Sequence, residues 1–197
     1  MFVQVISGPV SDAGAVRAAF DRWMRDLQPS ATGWLGMTGG VTSEGELLAV
    51  VRFESADAAR RNSDRPEQDA WWQETAKLFA GDVRFRDTDD VSPWLGGGSD
   101  QAGFVQVMEG RELDRARGDA LMKEMEGALS DQRPDVLGGL TVHLADGNYL
   151  DVVYFTSEAE AREGEQKPIP EDVARQMGEV WEITAYHDLR DPWLYSA

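Results

Sequence analysis

The stretch that decides the fold is Phe2–Gly8, FVQVISG, because it returns as FVQVMEG at Phe104–Gly110. The offset of 102 residues continues from there without a gap, and 18 of the first 59 aligned pairs are identical. Most of the identities are apolar residues or glycines, which are the positions that a shared fold constrains. We therefore predict that the chain is a tandem duplication.

The alignment also predicts the domain limits. Repeat 1 is expected to span residues 1–95 and repeat 2 residues 103–197. Between them, residues 96–102 begin with Gly96-Gly97-Gly98 and show no hydrophobic periodicity. Such a segment is typical of a flexible linker.

Each repeat carries the same order of predicted elements. In repeat 1, a β-rich run at Phe2–Ile6 is followed by a helix that Ser11 or Asp12 can cap. The apolar face of that helix is marked by residues spaced four, three and four apart: Val16, Phe20, Trp23 and Leu27. The remaining predicted elements are strands at Trp34–Val41 and Glu46–Glu54, helices at Ala56–Arg61 and Glu67–Phe79, and a strand at Val83–Phe85.

This βαββαβ order predicts an α+β fold built from two ferredoxin-like repeats. Each repeat should form a four-stranded antiparallel sheet with its helices on one face. Phe2 and Ile6 alternate with Val3 and Val5, so the strand is apolar on both faces and the sheet needs a second cover. We expect the two sheets to pack face to face as an intrachain pseudo-dimeric α/β barrel, in a monomer with an internal pseudo-two-fold axis or a weak homodimer.

Composition narrows the classes of function. The net charge is −17, and residues 1–95 contribute −5 of it, so nucleic acids and anionic membranes are not expected partners. The chain has no cysteine, which excludes disulfides, thiolate metal sites and cysteine nucleophiles. The N-terminus lacks a secretory signal and the longest apolar run is Leu47–Val51, so a cytoplasmic protein is expected. No metal-binding or nucleotide-binding motif is present, and neither a metal nor a cofactor is expected.

Several segments together resemble one known family. They are the opening FVQV, the GWLG and LGG steps near the second strand, and the strand-to-helix segments VVRFESADAAR and VVYFTSEAEAR. With the tryptophan-rich second helical region, they resemble the dimeric α/β-barrel superfamily and, within it, the antibiotic-biosynthesis-monooxygenase-like (ABM) domains. That family includes cofactor-independent monooxygenases acting on aromatic polyketides and also haem-degrading enzymes.

The resemblance implies a pocket between sheet and helices in which an asparagine and a tryptophan act. The residues of this chain that correspond as catalytic candidates are Asn62 and Trp72. A third catalytic candidate, as a stabiliser of an anion or enolate, is Arg52, a charged residue inside an apolar strand. The candidate pocket residues are Trp71, Trp34, Trp23 and Gln4. Repeat 2 has Gly164, Val173 and Ala174 in place of Asn62, Trp71 and Trp72, so the pocket is expected in repeat 1.

Each candidate also has a purely structural interpretation. Trp71 and Trp72 could both be core residues, with one ring on the sheet and the other turned outward. Arg52 could extend its stem along an apolar surface or form an ion pair, and Gln4 could be a buried residue with its hydrogen bonds satisfied. Two functions therefore stay open: an ABM-like enzyme acting on a small aromatic molecule, and a non-catalytic binding or structural module. An open cavity lined by a tryptophan of the pair with Asn62 would favour the enzyme, and a closed apolar interface the module.

The two histidines point away from haem chemistry. Haem-degrading relatives carry their iron-ligating histidine on the second helix, whereas His143 and His187 fall in predicted strands. His143 replaces Val41 of repeat 1 and is expected to be satisfied or exposed, not a general base.

A further pair of segments recurs after the last strand of each repeat. Pro93-Trp94-Leu95 is matched by Pro192-Trp193-Leu194 at an offset of 99. We expect each segment to act as a clasp that buries its tryptophan against the other repeat.

Overall fold

The structure is a computed structural model that describes residues 1–197 apart from the side chain of Asp146. The helices are α1 Ala13–Asp26, α2 Ala56–Ser63, α3 Pro66–Ala76, α4 Arg115–Gln132, α5 Glu158–Glu165 and α6 Glu171–Val180. The strands are β1 Phe2–Pro9, β2 Trp34–Val41, β3 Glu46–Phe53, β4 Arg84–Thr88, β5 Val91–Trp94, β6 Phe104–Glu112, β7 Val136–His143, β8 Asn148–Phe155, β9 Trp181–Leu189 and β10 Trp193–Ser196. Each half follows the predicted βαββαβ order, with its second helical region divided in two.

Side-chain caps begin the helices where the sequence predicts them. The Asp12 carboxylate accepts a hydrogen bond from the Ala15 backbone N–H at 2.9 Å and starts α1. Ser55 accepts one from Ala58 at 3.2 Å and starts α2. These bonds satisfy N–H groups that lack a partner within a helix.

The strands of the described chain form two antiparallel sheets. The first has the order β10-β2-β3-β1-β4 and the second β5-β7-β8-β6-β9. Without β10 and β5, each sheet has the strand order of a ferredoxin-like fold. The chain therefore contains two tandem ferredoxin-like repeats, as predicted, and each sheet gains a fifth strand.

The fifth strand of each sheet comes from the other half of the sequence. The C-terminal β10 pairs with β2, and β5 pairs with β7. The described chain accordingly divides into two compact units, one of residues 1–90 with 193–197 and one of residues 91–192. The limits of the ancestral duplication, near residues 95 and 103, remain a proposal from the alignment.

The clasp prediction is confirmed. Trp193 on β10 is only 4% exposed and lies in the core of the first unit, and Trp94 on β5 is 7% exposed in the second. The segment predicted to be a flexible linker, residues 96–102, follows Leu95 and begins within a defined turn. Leu95, Gly96 and Gly97 have positive φ angles, and Gly97 donates its N–H to the Trp94 carbonyl at 2.9 Å.

The repeated Leu-Gly step marks a bulge in the second strand of each repeat. Gly36 has φ +146° and Gly138 φ +148°, and the strand register shifts at both positions. A residue with a side chain rarely adopts this conformation, which accounts for the same glycine in both repeats.

Both faces of the sheets are buried, as the alternation predicts. Val3 and Val5 are buried on one face of β1, while Ile6 belongs to the core beneath the helices. The helix-side core of the second unit is smaller and centres on Trp94, Phe104, Val153, Phe155 and Ala161. Among the described residues, no helix has both the length and the apolar character needed to span a membrane.

Candidate functional site

A cavity of about 50 Å³ lies between the helices and the sheet of the first unit. Its apolar lining comes from α1, α3 and three strands: Ile6, Phe20, Trp23, Met24, Trp34, Met37, Val51, Phe53 and Trp71. Its polar lining comes from Gln4, Asn62, Ser63, Gln68 and Tyr195. The cavity is therefore an aromatic-walled space with a few hydrogen-bonding groups.

Five of the seven predicted site residues line this cavity together. They are Asn62, Trp71, Trp34, Trp23 and Gln4. Trp71 and Asn62 thus line the same cavity, but the feature that would favour the enzyme is an open cavity, and this one has a volume of only about 50 Å³.

The tryptophan rings form a connected wall. Trp23 lies 5.4 Å from Trp34 and 6.4 Å from Trp71, measured between ring centroids. The Trp23 indole N–H donates to the Gln68 side chain at 2.6 Å, and the Trp71 indole N–H donates to the Ala19 carbonyl at 2.9 Å. These bonds hold two rings with their apolar surfaces available to the cavity.

Asn62 is the most constrained polar residue of the cavity. It is 6% exposed, and its Oδ1 accepts a hydrogen bond from Arg65 Nη1 at 3.0 Å. Because a guanidinium can only donate, the amide oxygen must face Arg65 and the NH₂ group must face away. No hydrogen bond to a described residue uses that NH₂ group, so it is free to donate to an occupant of the cavity.

Arg65 is itself held in place by other contacts. It donates to the Leu27 carbonyl at 3.3 Å and to Ser30 Oγ at 2.7 Å. These groups lie at the end of α1, whereas Asn62 lies near the end of α2. The orientation of the Asn62 amide is therefore set by a bond network that joins two helices.

The other two predicted site residues lie outside the cavity. Trp72 follows Trp71 by about 100° around the helix, and its ring packs against Phe79 at 5.9 Å and Phe85 at 5.2 Å. Arg52 follows Val51 in β3 and so points to the opposite face of the sheet. Its Nη1 donates to Thr38 Oγ1 at 2.9 Å. Trp72 and Arg52 are therefore a packing residue and a hydrogen-bonded sheet residue, respectively, with no contact to the cavity.

Three polar residues of the cavity were not predicted from the sequence. Gln68 and Ser63 lie near predicted residues on the helices and could have been found from helical spacing. Tyr195 comes from β10, and its hydroxyl donates to Asp21 at 2.6 Å. Only the recurrence of the Pro-Trp-Leu segment pointed to this region of the chain.

Repeat 2 lacks the space for an equivalent asparagine. Gly164 stands in the place of Asn62, and the guanidinium of Arg133 fills the space where its side chain would lie. A larger depression of about 240 Å³ lies beside it, lined by Pro134, Asp135, Thr156, Glu160, Glu163, Gly164 and Lys167. Its lining is mostly polar and has no aromatic ring, so it differs in kind from the cavity of the first unit.

Comparisons with known proteins rest on structure alone. No protein-family model matches the chain, and no curated protein matches its sequence. A candidate monooxygenase from Lactobacillus acidophilus superposes with a TM-score of 0.69 and 11% identity, covering 98% of this chain and 92% of its own. A candidate monooxygenase from Fusobacterium nucleatum gives 0.71 and 8%, covering 99% and 94%.

A third solved structure is described as an anthrone oxidase-like protein. It has a TM-score of 0.66 and 8% identity, and the match covers 95% of this chain and 93% of that one. At such low identities the matches show the fold and no more. The chain thus shares the fold of these three solved structures over nearly its whole length.

Proposed function

We propose that the cavity of the first unit binds a small aromatic ketone of polyketide type and that the chain oxidises it as a cofactor-independent monooxygenase. The observation that carries this proposal is the buried Asn62 amide, which Arg65 orients so that its NH₂ group can donate into a cavity walled by tryptophans. Flat aromatic ligands pack favourably against such rings.

The chemistry requires a substrate that can form an enolate. Loss of a proton from the carbon activated by the ketone places negative charge on the ketone oxygen. A donor already in position at that oxygen stabilises the charge as it develops. The electron-rich carbon then reduces O₂ and forms a carbon–oxygen bond to it. The resulting peroxide anion takes up a proton in place of the one lost from carbon, and loss of water from this hydroperoxide leaves a quinone.

The polar lining suits this role. Gln4, Asn62, Ser63, Gln68 and Tyr195 are neutral amides, a hydroxyl and a phenol. The hydroxyls of Ser63 and Tyr195 already donate to Ala59 and Asp21, so the amide NH₂ groups are the donors available to an oxyanion. None of the five groups is a strong base near neutral pH. The favoured substrates are therefore compounds whose carbon acid ionises readily, such as anthrones.

Size places a condition on binding. A cavity of about 150 Å³ holds benzene, so the space of about 50 Å³ must widen for a fused aromatic system. Met24 lines the cavity and is only partly buried, and its unbranched side chain changes rotamer easily. We expect Met24 to move aside when a ligand enters.

The second candidate function is a binding module without chemistry, and the small volume of the cavity favours it because a nearly closed interface was the feature expected of such a module. The two candidate functions differ in whether oxygen is consumed. Both require an aromatic ligand in the cavity, but only the first requires oxygen to be consumed.

Binding is tested by anaerobic titration of the full chain with anthrone, followed by the fluorescence of the cavity tryptophans. We expect saturable quenching, and Asn62→Leu should weaken binding by about tenfold through loss of the donor. Met24→Ala should tighten it by enlarging the cavity, because no side chain then has to move aside. Trp72→Phe is the matched control and should leave the dissociation constant unchanged. Absence of saturable quenching, or equal binding by Asn62→Leu, would contradict a cavity ligand held by Asn62.

A further inference from the structure

The helix-facing layer of the second repeat is polar where that of the first repeat is apolar. At the 102-residue offset the pairs are Val10/Glu112, Gly39/Thr141, Val41/His143, Leu47/Tyr149 and Ala49/Asp151. Repeat 1 shows that the fold accepts apolar or small residues at these positions. Burying charged groups costs stability unless they are paired, so the polar set calls for an explanation other than the fold.

Two of these polar side chains meet a third, from α4, at one end of the layer. Glu112 ends β6, His143 ends β7, and Asp119 lies near the start of α4. One ligand atom from each lies within 4.8 Å of the other two. The Glu112 carboxylate is 2.9 Å from His143 Nδ1, and the side chains are only 7% and 3% exposed. Asp119 is exposed and connects the buried pair to solvent.

Ser92 fixes the histidine ring from its other side. Its Oγ lies 3.2 Å from His143 Nε2. A ring held through one nitrogen presents the other in a fixed direction, as metal-ligating histidines do. His143 is therefore oriented with Nδ1 toward the Glu112 carboxylate.

We propose that Glu112, Asp119 and His143 bind one divalent first-row transition ion such as Zn²⁺. The set offers one imidazole nitrogen and two carboxylates, donors that these ions accept at about 2.0–2.2 Å, and the spacing of the donor atoms leaves room for an ion among them. Three protein ligands leave positions open for water. The net charge of −17 favours cation binding.

Arg115 is the competing cation for Asp119, but its Nε is 3.8 Å away and both side chains are largely exposed, so the contact is weak.

The test is a titration of the full, chelator-stripped chain with Zn²⁺ in competition with a chromophoric chelator. We expect one ion per chain. Asp119→Asn should weaken the affinity at least about tenfold without affecting folding, because the side chain is exposed. Ser92→Ala should weaken it by about 10–100-fold through loss of the ring's orientation. Co²⁺ bound at the site should show a d–d absorption spectrum that His143→Gln abolishes.

Two controls distinguish this site from other sites of zinc binding. Glu124→Gln removes an exposed acid from the same helix and should leave the affinity unchanged. His187→Gln breaks the second histidine–carboxylate pair, in which Nε2 lies 3.5 Å from Glu109, and should also have no effect. Failure of the wild-type chain to bind Zn²⁺ stoichiometrically would overturn the proposal. So would binding that survives Asp119→Asn and His143→Gln but is lost in His187→Gln.

Discussion

Replacement of Trp193 by alanine is expected to lower the free energy of unfolding by about 3–5 kcal/mol, the usual cost of deleting a buried tryptophan side chain. Trp193 packs against Phe20 at 5.6 Å between ring centroids, and the guanidinium of Arg17 lies 5.9 Å above its ring. It also belongs to the strand that completes the first sheet. For a chain of this size the melting temperature should fall by about 10 °C, as measured by calorimetry.

The matched control is Trp72→Ala, which removes the same side chain from a partly buried position beside Phe85. It should cost clearly less than Trp193→Ala. Equal losses of unfolding free energy in the two variants would contradict the role of Trp193 in anchoring β10 to the first unit.

The largest pH-dependent effect is expected at Asp151. This carboxyl is buried beneath the helices of repeat 2, and burial raises its pKa to about 6, although hydrogen bonds from Trp94 Nε1 and Thr141 Oγ1 favour the ionised form. The native chain thus keeps a proton that the unfolded chain, with a carboxyl pKa near 3.8, has already lost. The contribution of this group to stability is therefore complete below about pH 4 and is lost as the pH rises through 6.

Asp151→Asn should remove this loss, because the amide oxygen can still accept both hydrogen bonds. We expect the variant to be more stable than the wild type by about 3 kcal/mol above pH 7, with the difference vanishing near pH 4. Urea unfolding at a series of pH values measures this. Asp172→Asn, at an exposed position of α6, is the control and should show no such trend. A difference in unfolding free energy between Asp151→Asn and wild type that is constant with pH would contradict the raised pKa of Asp151.

Much of the fold could be predicted from local patterns because repetition made them visible twice. Strand β2 was predicted at its observed limits, Trp34–Val41, since alternation and flanking glycines define it. Asp12 was predicted as a possible cap because an aspartate before a helical pattern can satisfy the first free N–H groups. The exchange of β5 and β10 was predicted only as burial of their tryptophans, because strand pairing over such distances leaves no local signal.

Of the candidate site too, only part could be predicted from the sequence. Asn62 and Trp71 were found because the family resemblance implies an asparagine and a tryptophan in the pocket. Arg52 was misplaced, although the alternation along β3 already assigns it to the face opposite Val51. The cluster around His143 was missed because Glu112 and Asp119 are distant from it in sequence. The one available signal was the replacement of Val41 by a histidine in the second repeat.

The proposed oxidation is tested by oxygen uptake of the full chain with anthrone, in the presence of a chelator that removes metal ions. We expect uptake above the buffer rate, one O₂ consumed per anthrone converted to quinone, and a rate roughly 10²-fold lower for Asn62→Ala. Trp72→Phe should retain the wild-type rate. Uptake no faster than in buffer would contradict the enzyme and leave a binding module, and a rate unchanged in Asn62→Ala would contradict the role of the Asn62 amide.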